Sequence, residues 1–230
     1  MSRWLSVWLL VAALPAHAAT ITYLVESRHT QGVVRWNHMG FSHPTAQFTR
    51  VEGALVFDPA DPTRSSVRVT IPMTALGTGV PDLDDDFRSP AFFDFARFPV
   101  ATFTSRMIEK GGQANHYRVT GELALHGVTR PVVLDATLNR IGTNLRDGVP
   151  AIGFEATTRL KRSEFGVGRF VPVVSDEVDI HITFEANEAR ALIAYLRHQA
   201  ATATTDADRK DFAQAAAEAE AQAMAVGKHD

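Results

Sequence analysis

Between Asp84 and Leu134 the chain reads DDDFRSPAFFDFARFPVATFTS (84–105) and then YRVTGELALHGVTRPVVL (117–134). The second string decides the fold. Tyr117, Val119, Leu123 and Leu125 alternate with Arg118, Thr120, Glu122 and His126; beyond Gly127, Val132, Leu134, Ala136 and Leu138 alternate with Val133, Asp135, Thr137 and Asn139. A period of two puts the apolar set on one face of a strand, and a Gly/Pro-bearing turn between two such runs predicts an antiparallel pair. The first string places Phe87, Phe92, Phe93, Phe95, Phe98 and Phe103 within seventeen residues, interspersed with Asp84, Arg88, Ser89, Asp94 and Arg97. Any single Phe is more often plain core. Their number and their place beside a β-structure argue for an apolar conduit with a polar lip, suited to a long hydrocarbon with one polar end.

Working outward, the same alternation recurs from Ile21 to Phe184. It runs through Ile21, Tyr23 and Val25; Val51, Leu55 and Phe57, broken by Gly53; Val67, Val69 and Ile71; Ile152 to Leu160; and Val178, Ile180, Ile182 and Phe184. With segments near Val33 and Val100, roughly eight or nine strands are predicted, joined by turns rather than long helices. Strands with one apolar face must close on themselves or stack as two sheets. An eight-stranded closed barrel has room for one slender ligand. The pattern by itself leaves barrel and sandwich open.

These residues resemble the YceI-like family of polyisoprenoid-binding proteins. Its pattern runs D-x-x-L-R-S-x-x-F-F-D, then P-x-x-x-F-x-S, then V-x-G-x-L-x-(I/L)-H-G-V-T-x-P-V. It is met here by Asp84, Phe87 in the Leu place, Arg88, Ser89, Phe92, Phe93, Asp94, Pro99, Phe103, Ser105, Val119, Gly121, Leu123, Leu125, His126, Gly127, Val128, Thr129, Pro131 and Val132. The resemblance implies an all-β fold: an extended, antiparallel, lipocalin-like β-barrel over residues 19–186, with a short helix near the aromatic cluster. It also implies a binder rather than an enzyme, sheathing a polyisoprenoid or isoprenoid quinone, with no other cofactor. The expected lining is Phe41, Phe87, Phe92, Phe93, Phe95, Phe98, Phe103, Leu125 and Phe165, with Arg88 at the ligand's polar end supported by His38 and Asp84. Transient membrane contact and a homodimer stay open.

Met1 to Ala18 reads as a secretory leader: Arg3, an apolar run from Trp4 to Leu14, Pro15, and an Ala16-His17-Ala18 cleavage site. Roughly a dozen apolar residues fall short of the ~20 that span a bilayer. The expected location is therefore the periplasm. Cysteine is absent, which removes disulfide, zinc-thiolate and thiol-nucleophile chemistry. The formal net charge of −3 lacks the basic face a nucleic-acid partner would call for.

Other constellations read as structural. His29, His38 and His43 lack the paired spacing of zinc motifs, so no metal site is expected. Asp82, Asp84, Asp85 and Asp86 lack the Gly and distal Glu of a calcium loop; an Asp84–Arg88 pair at i,i+4 is the simpler reading. Ser163, within RSEFG, matches the family's R-x-(D/E)-F-G strand end, and no G-x-S-x-G, P-loop or G-x-G-x-x-G occurs, so no catalytic residue is assigned. The alternatives are an enzyme acting on a lipid or small amphiphile through His38 and the Asp run, and a stress-related factor docking a partner through its C-terminal helix. Residues 187–230 are Ala-rich, with Leu192, Ile193 and Leu196 at helical spacing, and predict a helical extension that packs weakly because Ala buries little area.

Overall fold

A computed structural model, describing residues 19–226, turns the two-residue alternation into a closed wall. The strands are β1 (Ile21–Val25), β2 (Gln31–His38), β3 (Thr45–Phe48), β4 (Glu52–Phe57), β5 (Ser66–Pro72), β6 (Leu76–Gly77), β7 (Val100–Lys110), β8 (His116–Leu125), β9 (Val128–Thr143), β10 (Pro150–Lys161) and β11 (Val174–Glu188). Antiparallel pairing runs β1-β4-β5-β7-β8-β9-β10-β11 and returns from β11 to β1, an eight-stranded barrel. The leader assigned to Met1 to Ala18 lies outside the described residues.

Eleven strands make eight staves because three staves are broken. Tyr23 faces Glu188 and Gln31 faces Thr183 on the same strand, so β1 and β2 are two lengths of one stave along β11. β3 and β4 form the next, and β5 and β6 the third, interrupted after Pro72, which has no N–H for the ladder. At the lower end, where β1, β4 and β5 meet, the wall is continuous. At the upper end β6 pairs with β3 alone, and β7 starts at Val100 beside Pro72. Helix α1 (Pro81–Arg88) and the turns to Pro99 fill that gap, packing Phe87, Phe92, Phe93 and Phe95 against Ala46, Met73 and Leu76.

The hairpin of the LHGVT segment is tight. His126 and Gly127 both have positive φ, 51° and 75°, the conformation that matches a two-residue turn to the twist of its strands. The His126 ring also ties the β8–β9 turn to the end of β10, its Nδ1 lying 3.0 Å from the Phe165 carbonyl oxygen.

The C-terminal segment differs from the sequence expectation of weak packing. Helices α2 (Ala189–Thr202) and α3 (Asp206–Val226) fold into a hairpin seated on the outer face of β1 and β4. Leu24 and Ala54 point outward and are buried beneath Leu192, Ile193, Leu196, Ala219 and Ala223. The physical reason lies in the strands: ALVF (54–57) is apolar at every position, so both faces need covering. Arg197 and Glu220 pair across the two helices at 2.6 Å.

Candidate functional site: the lumen

The inward residues enclose two cavities placed end to end. The lower holds about 220 Å³ between β4, β5 and β7–β11, and the upper about 270 Å³ beneath α1. Phe48, Leu125, Leu160 and Ile180 line both and form the waist. A ten-residue stave at ~3.3 Å per residue, tilted by ~40°, makes the barrel wall about 25 Å tall.

The lower cavity contains no charged side chain among the described residues. Three of its polar side chains are hydrogen-bonded to the barrel's own backbone. Thr30 Oγ1 donates to the Glu185 carbonyl and accepts from the Glu185 N–H, each at 3.0 Å; Thr158 Oγ1 donates to Val133 O at 2.8 Å; Ser65 Oγ accepts from the Asp58 N–H at 3.0 Å. Such a wall offers little to a polar solute and favours an apolar one by about 25 cal/mol per Å² buried.

The upper cavity is different. Phe87 sits at its centre, with ring centroids 5.4–5.9 Å from Phe93, Phe92 and Trp36. His38, Asp86, Arg162 and Arg169 supply polar groups. The Arg162 guanidinium donates to the carbonyls of Val167, Arg169, Val174 and Ser175 at 2.7–3.1 Å, which fixes the loop between β10 and β11; burial pushes its pKa down, with Asp176 opposing. Arg169 lies over the rings of Phe92 and Phe170 at 5.7 and 4.7 Å, within cation–π reach. No hydrogen bond joins His38 to Asp86 among the described residues.

Of the residues expected to line the lumen, Phe103 and Leu125 face the lower cavity, and His38, Phe87, Phe92, Phe93, Leu125 and Phe165 the upper. Five do not line either. Phe41 stands 88% exposed on the turn after β2. Phe95 is buried behind Phe93 in the core, and Phe98 packs edge-on against His126 outside the barrel, centroids 4.5 Å apart. Arg88 pairs with Asp85 at 2.6 Å, not with Asp84. Asp84 accepts from the Thr78 hydroxyl and N–H at 2.7 and 2.6 Å, bonds that hold its carboxyl below the usual range and pin the loop before α1. Helical geometry explains the miss: Leu83, Asp86 and Phe87 share the face turned to the cavity, which carries Asp84 and Arg88 away from it.

Sequence reasoning missed Trp36, Arg162, Arg169 and Phe170. Trp36 had a signal, since Val34, Trp36 and His38 alternate inward. His29 is far from His38 along the wall and instead meets Glu26 and Glu185 at 2.7 and 3.7 Å. Glu26 also takes the Arg28 guanidinium and the His29 N–H, so this cluster clamps the turn between β1 and β2.

The family model of the YceI-like domain matches residues 23–186, the whole barrel. The chain belongs to the YceI-like family. The YceI protein of Escherichia coli O157:H7 is 35% identical over 177 residues, covering 77% of this chain and 91% of that protein. Among solved structures, BcnA of Burkholderia cenocepacia superposes with a TM-score of 0.63 at 26% identity, over 70% of this chain and 99% of that one. A polyisoprenoid-binding domain from Saccharophagus degradans superposes with a TM-score of 0.56 over 73% and 99%, and at 15% identity the likeness is one of fold.

Proposed function

We propose that this YceI-like barrel is exported to the periplasm and there sequesters or carries a polyisoprenoid or an isoprenoid quinone. The observation that carries the reading is the lumen: two apolar cavities in line, the lower without a charged side chain among the described residues and the upper with His38, Asp86, Arg162 and Arg169 near its outer end. A prenyl tail would lie through the waist at Leu125 and Leu160, its polar end among the upper groups rather than at Arg88. Sharing of the architecture with a polyisoprenoid-binding domain supports the ligand class. The lipid is the one small molecule the reading calls for. Nothing in it requires bond making, and the barrel acts by removing apolar surface from water.

Mass spectrometry of an organic extract of the purified protein is the test. A stoichiometric prenyl lipid is expected. Phospholipid alone, or an empty barrel across several expression hosts, would overturn the assignment.

A further inference from the structure

The upper end of the barrel is apolar where solvent-facing loops are ordinarily polar. Two loops meet there: the turn between β2 and β3, and the segment 166–173 before β11. His38 pairs with Val174, so the loop tips stand side by side. Met39, Phe41, Phe170 and Val173 on these tips are 48%, 88%, 53% and 62% exposed. Phe170 also lines the upper cavity and lies 6.2 Å from Phe92, so the apolar lining runs without a break from the lumen to the rim.

The tips are built, not slack. Met39 and Phe170 hold φ of 57° and 66°, a left-handed conformation that a bulky side chain rarely adopts. The Ser42 carbonyl accepts the His38 N–H, the Asn37 side chain accepts the Gly40 N–H, and the Phe170 carbonyl accepts the Val174 N–H. Arg162 fastens the second loop through three further carbonyls of residues 167–174. The charges nearby balance rather than accumulate: Arg88, Arg162 and Arg169 are set against Asp85, Asp86 and Asp176. Among the described residues no excess of positive charge for attracting anionic headgroups gathers at this end.

We propose that Met39, Phe41, Phe170 and Val173 form the surface by which the barrel docks on a phospholipid bilayer, the tips entering the headgroup layer so that the upper cavity faces the acyl chains. The proposal rests on the lipid-carrier reading, since a prenyl chain passing between membrane and lumen avoids water only if the apolar rim touches the apolar layer. The charge balance makes docking an insertion, indifferent to anionic lipid and to ionic strength.

The experiment is co-sedimentation of the mature chain with phosphatidylcholine vesicles, comparing the wild type with Phe41→Asp, Val173→Asp and Met39→Asn. None of these positions lines a cavity, and Asn accepts the left-handed backbone at 39 better than Met does. Each variant is expected to lose about tenfold or more in partitioning, with its melting temperature and extracted lipid unchanged. Equal partitioning of wild type and variants would overturn the proposal, as would binding that needs anionic lipid or disappears in salt. Should Phe41→Asp instead abolish a dimer in the absence of vesicles, the rim is a contact between copies and the proposal falls. A wild type that partitions through these residues yet yields no prenyl lipid overturns the carrier reading alone; one that yields prenyl lipid but ignores vesicles overturns the docking alone.

Discussion

Phe103 lays its ring across the bare backbone of Gly121 on the neighbouring strand: a Cβ at Gly121 would stand 2.6 Å from Phe103 Cε2 and 2.6 Å from the Thr104 carbonyl oxygen. The aromatic ring thereby covers a position where the strand has no side chain of its own. Gly121→Ala must push a lumen-lining ring or bend the strand. We expect a loss of about 1–3 kcal/mol, seen as a fall of about 2–4 °C in melting temperature per kcal/mol for a chain of this size.

Leu125 belongs to both cavities, so Leu125→Asp puts an unpaired carboxylate at the waist. Lipid occupancy should fall more than tenfold in whatever fraction circular dichroism shows to be folded. A folded and fully loaded variant would remove Leu125 from the binding wall.

Arg162 holds its loop through a planar fork that a lysine cannot reproduce. Arg162→Lys should cost about 1.5–3 kcal/mol and raise amide exchange selectively at residues 167–174. Uniform exchange across the barrel would show that the loop is held by something else.

Truncation after Ala189 uncovers Leu24 and Ala54 on the outside of the wall. The barrel should still bind lipid, since no residue of the hairpin lines either cavity, but it should melt several degrees lower. Unchanged melting would mean that the hairpin contributes no stability. Loss of lipid without loss of stability would give the helices a role at the lumen that their position does not suggest.

Asp58 closes the lower end by accepting from the N–H groups of Asp61 and Ala60 and pairing with Arg64 at 2.6 Å. The Asp61 N–H, opposed by burial and joined by Ala60 and Arg64, holds its carboxyl below the ordinary range. A depressed folded-state pKa gives stability that is present above the unfolded value of about 4 and is lost as pH falls through the folded value. Denaturant midpoints should therefore drop on acidification below that value, and less so for Asp58→Asn. An equal drop in the two proteins would assign the acid sensitivity to other carboxylates.

The strands were legible because a wall with one wet face must alternate, as Tyr117 to Leu125 and Val178 to Phe184 do. The clustered phenylalanines were legible as a cavity lining, and Phe87, Phe92 and Phe93 do line the upper cavity. What alternation could not show was a strand covered on both sides: Leu24 and Ala54 lie outside the inward-facing sets of β1 and β4, yet they seat the helical hairpin. The cationic lining of the upper cavity was illegible for a related reason. Arg88 has the right charge at the right distance along the chain, but the turn of α1 aims it at Asp85, whereas Arg162 and Arg169 reach the cavity from the far end of the sequence. The partners of Arg162 are backbone carbonyls, which leave no trace in side-chain identity.

β11 changes partner part-way along its length, bonding β2 through Thr183 and β1 from Ala186 onward. It is also the last strand in the chain, so every earlier stave waits with two open edges, on β1–β2 and on β10, until residues 174–188 arrive. A chain halted at Val173 cannot enclose a lumen at all: it is an open sheet whose apolar face is wet. An enclosed lumen in this protein is thus an all-or-nothing property, acquired only when the first and last strands of the barrel meet.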